Sequence, residues 1–146
     1  MKFLRSNYDS ETSTSTVAIR HLSKVFFGKA KLHPDDKDKA SELVGGRYAE
    51  MRAEIKALKY ERQIEKAKCE ECRKFVKACE QCKLFDKDSA TAKIMYRQLG
   101  VRIKKVNKLA DRINSLYTEL EKDDWRRMTI LKAIASKKAK KDNSNS

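Results

Sequence analysis

Only one proline and four glycines interrupt the 146 residues of this chain. A sequence so short of breakers, and rich in Lys, Glu, Arg, Ala and Leu, has the composition of long helices. Aromatic residues are scarce as well, at 8%, and apolar residues reach 40%. That suffices for a helical seam but is thin for a large core, so burial against a second copy is expected. No run free of Lys, Arg or Glu approaches the ~20 apolar residues that span a bilayer. The opening Met1–Ser10 lacks the apolar stretch of a secretory signal. The chain is therefore expected in a reducing cytoplasm, its four cysteines serving as thiols or ligands.

Catalytic constellations are missing too. His21 and His33 are the only histidines, and neither has ligand spacing to the other or to a cysteine. No Gly-x-Ser-x-Gly, His-Glu-x-x-His, phosphate-binding glycine loop or zinc deaminase signature occurs. Acid neighbours such as Glu70/Glu71 and Asp123/Asp124 do not face each other on a helix. A binding protein without cofactor, not an enzyme, is expected.

What the chain has in excess is positive charge. Lys and Arg total 35 against 21 Asp and Glu, a formal charge of +14. Such an excess predicts anionic partners: nucleic acid, nucleotides, a membrane surface or an acidic protein.

The expected architecture is α+β, mostly α, in one domain: a short N-terminal β-hairpin, then a long antiparallel pair of helices, assembled as an oligomer. Residues 1–15 read as a flexible arm, Ser/Thr-rich from residue 6. Residues 16–33 read as the hairpin, turning around 21–24, with Val25, Phe27 and Lys29 at period two. His33-Pro34-Asp35-Asp36-Lys37-Asp38 reads as a turn. Gly45-Gly46 separates a short element from helix one, which covers 47–84 and measures roughly 57 Å. Residues 85–88 form a turn, and Ser89 is the N-cap of helix two, residues 89–135. Leu99, Ile103, Val106, Ala110, Ile113, Tyr117 and Leu120 form a heptad there, the strongest period in the chain. Trp125, Met128, Leu131 and Ile134 extend it, and 136–146 reads as a basic, frayed tail.

Cys69, Cys72, Cys79 and Cys82 give Cys-x2-Cys-x6-Cys-x2-Cys, a spacing that invites a zinc reading. Geometry argues otherwise. Residues 73–78 hold no breaker, so one helix would carry all four, with Cys69 and Cys82 about 20 Å apart along its axis. One tetrahedral site cannot reach both. Zinc would need a broken helix or pairing across a symmetric dimer, and packing cysteines are the favoured reading.

Helix two carries the richer chemistry. Arg97, Arg102, Lys104, Lys105, Lys108 and Arg112 flank its seam, with Asn107 among them. Guanidinium groups hold phosphates bidentately and lysines add point charge. Phe85 at the turn offers a face for a base, and the amides of Ser89–Ala92 make an anion site at a helix start. The alternative for these residues is a solvated basic face with Phe85 plugging a loop.

The stretches Gly28-Lys-Ala-Lys-Leu-His-Pro-Asp-Asp-Lys-Asp-Lys-Ala-Ser-Glu42, Arg47-Tyr-Ala-Glu-Met-Arg-Ala-Glu-Ile-Lys-Ala-Leu58 and Asp86-Lys-Asp-Ser-Ala-Thr-Ala-Lys-Ile-Met-Tyr-Arg-Gln-Leu99 resemble a family of small phage proteins, the Thoeris anti-defence sponges. The likeness covers roughly residues 16–120. It implies sequestration of a host immune signal, a cyclic ADP-ribose isomer, without cleavage, in the bacterial cytoplasm, so that the downstream effector stays inactive. It implies homo-oligomers, from dimers to hexamers, whose pocket is shared between protomers, some members also holding cyclic oligonucleotides at a separate basic site. Phe85 and Arg112 are the positions that match that pocket most readily; with Asp86, Ser89, Met95, Arg97, Arg102 and Asn107 they make the expected ligand-binding set, Phe85 on the adenine and Arg112, helped by Arg97 or Arg102, on the diphosphate. Met95 departs from the pattern, since a polar residue is implied there. The cysteines have no part in the resemblance. Two other readings stand beside it: a basic helical nucleic-acid accessory, and a protein-directed inhibitor of the anti-CRISPR kind.

Overall fold

The computed structural model describes residues 1–31 and 39–144, with backbone alone for 39–42 and 123–134. Its elements are β1 (Lys2–Asp9), β2 (Thr14–His21), β3 (Lys24–Lys31), α1 (Lys39–Glu80) and α2 (Ala90–Ser144). The strands form one antiparallel sheet in the order β1-β2-β3. The class is α+β and mostly helical, as expected. The chain divides into two compact units, Met1–Ile113 and Asn114–Ser146. The first holds the sheet, α1 and the start of α2; the described part of the second is the rest of α2, where Leu116 and Leu120 are buried.

The β2–β3 hairpin follows from its turn. Leu22 and Ser23 both have positive φ, 48° and 64°. Two such residues make the left-handed turn whose twist matches antiparallel strands. The turn sets the register, pairing His21 with Lys24, Ala18 with Phe27 and Val17 with Gly28. Residues 1–15 are not the flexible arm expected. Lys2–Asp9 pairs with β2 from Lys2↔Arg20 to Asp9↔Thr14, across an irregularity between Phe3 and Arg5. β1 lies at the sheet edge and is exposed along nearly its whole length. An exposed edge strand carries no apolar alternation to betray it.

One face of the sheet packs on α1. Val17, Ile19 and Ala30 are buried there, under a row of fully covered alanines, Ala49, Ala53 and Ala57. The four-residue spacing lines these small side chains along one side of the helix. The approach is close enough to exclude any side chain from position 28: a Cβ on Gly28 would stand 1.7 Å from the Ala49 carbonyl oxygen. Two cations of α1 complete the seat. Arg52 Nη1 donates to the Lys29 carbonyl at 2.7 Å, and Lys56 Nζ to the Phe27 carbonyl at 2.8 Å. Farther along, Tyr60 meets Phe26 with ring centres 5.6 Å apart, Lys24 Nζ lies 4.3 Å from the Tyr60 ring centre, and His21 Nε2 is 2.7 Å from Glu61 Oε2.

α1 begins at Lys39 and runs through Gly45-Gly46, so these glycines do not separate two elements. Each costs about 1 kcal/mol against alanine in a helix, which tertiary contacts offset here. α1 ends at Glu80, short of the expected residue 84. Ser89 caps α2, its Oγ accepting from the Ala92 amide at 3.2 Å. The helices run antiparallel: Glu80 pairs with Tyr96, Glu65 with Lys105 and Glu54 with Arg112. α2 continues to Ser144, so residues 136–144 are helical rather than frayed. The expected turn at residues 33–38 lies outside the described residues, as do the side chains of Trp125, Met128, Leu131 and Ile134.

The expected heptad needs one correction. Tyr117 is 41% exposed, whereas Leu116 is 1% exposed. The buried row steps by three and then four through Ile113, Leu116 and Leu120.

Candidate ligand-binding surfaces

The turn between the helices builds a small aromatic tip. Phe85 is half-buried and meets Tyr96 edge-on, with ring centres 6.5 Å apart at 73°. The Tyr96 hydroxyl donates to Glu80 Oε1 at 2.7 Å. That hydrogen bond, helped by desolvation and by the Glu80 charge, raises the phenol pKa above its ordinary 10.0. Asp86 belongs to the turn itself. Its Oδ1 accepts the Asp88 amide at 2.9 Å and its carbonyl accepts the Ser89 hydroxyl at 2.8 Å. The first turn of α2 contains no acidic residue, although Asp86 and Asp88 stand in the turn just before its cap.

The remaining expected ligands are strung along α2. Met95 and Arg102 are half-buried, while Arg97 and Asn107 are exposed. Arg112 is exposed and holds Glu54 Oε1 at 3.0 Å. At 1.5 Å per residue, Ala90 and Arg112 are about 33 Å apart along the helix. Phe85 and Arg112 of one chain therefore cannot grip one small nucleotide. Phe85, Asp86 and Ser89 come together; Arg102, Asn107 and Arg112 do not join them.

The basic face of α2 is partly neutralised by α1. Lys105 Nζ lies 3.1 Å from Glu65 Oε1. Its hydrogen bond holds the Glu65 carboxyl below the usual 4.5 against burial, which pushes the other way, and the Lys105 and Lys68 charges add to the lowering. Arg97, Lys104 and Lys108 are exposed and in no ion pair among the described residues.

The cysteines are all free thiols. Cys69, Cys72 and Cys79 lie on α1, but Cys82 lies beyond its end, so they do not share one helix as expected. Among the described residues no group of three His, Cys, Asp or Glu could hold a metal ion. His21 is engaged with Glu61, and His33 lies outside the described residues. No helix of the described residues is long and apolar enough to cross a membrane.

A second surface was not anticipated. The face of the sheet away from α1 carries a shallow depression of about 430 Å³, lined by Arg5, Asn7, Thr16, Ala18, Phe27 and Lys29. The register explains the set, because directly paired residues share a face. Arg5, Ala18 and Phe27 make one row across the sheet, and Asn7, Thr16 and Lys29 the next. Ala18 is the floor, only 4% exposed between longer neighbours, and Phe27 is a wall, 47% exposed. The period-two row of Val25, Phe27 and Lys29 was the available signal, but a third of the lining, Arg5 and Asn7, comes from β1. No family model, curated protein or solved structure matches the chain.

Proposed function

We propose that this protein is a non-enzymatic sponge. It binds a small cyclic nucleotide of the cyclic ADP-ribose type and keeps it intact from an immune effector, as the resemblance to the Thoeris anti-defence family implies. The observation that carries the reading is the tip of the helical pair: a half-buried aromatic ring beside a capped helix start whose first turn lacks acids. An aromatic face suits a base, and a helix start suits a phosphate.

One chain cannot complete the site, since Arg112 is far from its own Phe85. The pocket is therefore shared, the tip of one copy receiving Arg112, Asn107 and Arg102 of another. Apolar residues exposed near the tip support a copy–copy contact. Leu84 is 93% exposed, and Phe75, Ile94 and Val101 of the helical pair are exposed as well. Side chains of this kind gain from burial at an interface.

Calorimetry with cyclic ADP-ribose and its glycosidically linked isomers tests the reading. Loss of a stacked base typically weakens binding roughly 5- to 150-fold. Phe85→Ala is expected in that range, and Arg112→Ala in a similar one. Because the site is shared, mixing and re-annealing the two variants should restore about a quarter of the sites. Unchanged affinity in both variants, or no recovery on mixing, would sink the shared-pocket sponge. Cleavage of the ligand would contradict a non-enzymatic role.

A further inference from the structure

We infer that the open face of the sheet is a binding site for single-stranded nucleic acid, separate from the proposed nucleotide pocket and independent of it. The face carries Lys2, Arg5, Arg20, Lys29 and Lys31 by the strand register, with Asp9 alone among acids, at one end. None of these five cations is in an ion pair among the described residues. Asp9 is partly occupied, its Oδ1 accepting the Glu11 amide at 3.0 Å. Among the described residues, the Lys and Arg side chains in ion pairs, such as Lys68, Arg73, Lys105 and Arg112, lie on the helices.

Shape and chemistry then choose the occupant. A depression of about 430 Å³ lies within the range of small-ligand sites. Its floor is the small Ala18, one wall is the Phe27 ring, and Arg5 stands across from that ring in the same row. A base can lie over Ala18 against Phe27, and its phosphates reach Arg5 and Lys29. Asn7 and Thr16 offer donors and acceptors to the base edge or sugar. Aromatic platforms inside a positively charged groove are how proteins hold single strands without needing a particular sequence. A hollow suits an unstacked base better than a duplex groove, which is entered by a protruding element. A second copy of the chain does not fit, since two such faces would oppose five cations to five. Continuity favours a strand over one nucleotide, because Arg20 and Lys2 extend the positive row past one side of the hollow and Lys31 past the other.

The test is fluorescence anisotropy of the full chain with a labelled oligouridylate dodecamer across a range of salt. Binding at low salt is expected, weakening as salt rises. Phe27→Ala should weaken it roughly 5- to 150-fold. Arg5→Ala and Lys29→Ala should each flatten the logarithmic salt slope by about 0.7. Lys104→Ala and Lys108→Ala on α2 serve as controls and should change little. Thermal melts keep the variants interpretable, because the Phe27, Arg5 and Lys29 side chains are outside the α1 contact. The inference is overturned by any of four results. These are no binding at low salt, or sensitivity to the α2 lysines but not to Phe27 and Arg5. The others are tighter binding to duplex or to phosphatidylserine vesicles than to the strand, or equal competition by free uridine monophosphate. Since Phe85 and Arg112 play no part here, their variants should bind the dodecamer like the parent. Failure of the pocket and failure of the sheet face are thus distinguishable.

Discussion

Replacing Gly28 by alanine should unseat α1 from the sheet. The new methyl carbon would stand 1.7 Å from the Ala49 carbonyl oxygen and 2.6 Å from the Ala53 amide nitrogen. Ordinary contact begins near 3.4 Å, so relief at Ala49 requires a retreat of 3.4 − 1.7, or 1.7 Å. Both obstructing atoms are helix backbone, and neither can swing aside as a side chain would. The retreat opens a slot too narrow for water beneath Ala49, Ala53 and Ala57, and these atoms forfeit much of their dispersion attraction. It also stretches the bonds from Arg52 and Lys56 to β3, now 2.7 and 2.8 Å. Overpacking of this kind costs about 1–3 kcal/mol, and a rigid backbone clash belongs at the upper end. For a chain of this size ~3 kcal/mol lowers Tm by roughly 6–12 °C. Melting followed by far-ultraviolet circular dichroism measures it. Gly100→Ala is the matched control. Nothing lies within 4 Å of its added carbon, and alanine is preferred over glycine in a helix by about 1 kcal/mol. The two substitutions should move Tm in opposite directions. A Gly28→Ala protein melting at or above the parent would refute the close seating of the helix.

Two further outcomes follow from buried polar groups. Ser15 is buried on the α1 face and its hydroxyl has no hydrogen-bond partner among the described residues. Ser15→Ala should therefore raise Tm, by roughly 2–8 °C for ~1–2 kcal/mol of relieved desolvation; a lower Tm would mean the hydroxyl is paired in solution. The Glu65 carboxyl has a lowered pKa in the folded chain, chiefly through Lys105. A depressed carboxyl stabilises the fold above its unfolded value near 4.5, and that contribution is lost as pH falls through the folded value. Glu65→Gln should thus melt lower than the parent at pH 7, with the gap closing on acidification through that window. A gap independent of pH would show that the carboxylate charge is not what stabilises.

How much was legible in the sequence varies with what each residue does. The β2–β3 hairpin was readable because Val17 and Ile19 alternate on β2 and Val25, Phe27 and Lys29 on β3, although the second row lies on the open face of the sheet. β1 was not, since an edge strand open on both sides need not alternate, and Lys2–Asp9 becomes a strand only through its register with β2. The candidate sheet face was lost with it, because Arg5 and Asn7, two of its six lining residues, come from β1. In α2 the period was right and one position of the seam, Tyr117, was not. Leu99, Val106, Ile113 and Leu120 recur at seven, but apolar residues stand both three and four places after several of them. Leu109 and Leu116 compete with Ala110 and Tyr117, and composition alone cannot choose. Burial of Leu116 chooses. Gly45-Gly46 misled for a related reason: glycine propensity is a local penalty, while the adjoining Tyr48, Ala49 and Met51 are all buried and hold that turn of helix in place. The candidate pocket showed the same limit. Residue types around Phe85 and Arg112 suit a nucleotide, but residue chemistry was weighed there without the helix rise that keeps the two positions apart.

The bonds from Arg52 and Lys56 to the β3 carbonyls have a consequence for assembly. They occupy the Phe27 and Lys29 carbonyls at the β3 margin of the sheet, which makes β1 the margin better placed to recruit another strand. A sheet with one open margin has a valence of one. Should two copies join strand to strand, β1 meets β1 about a two-fold axis, and the joined sheet then ends in blocked margins on both sides. Growth stops at the pair. A long, cation-rich chain can in this way use strand addition for dimerisation without carrying the hazard of a fibre.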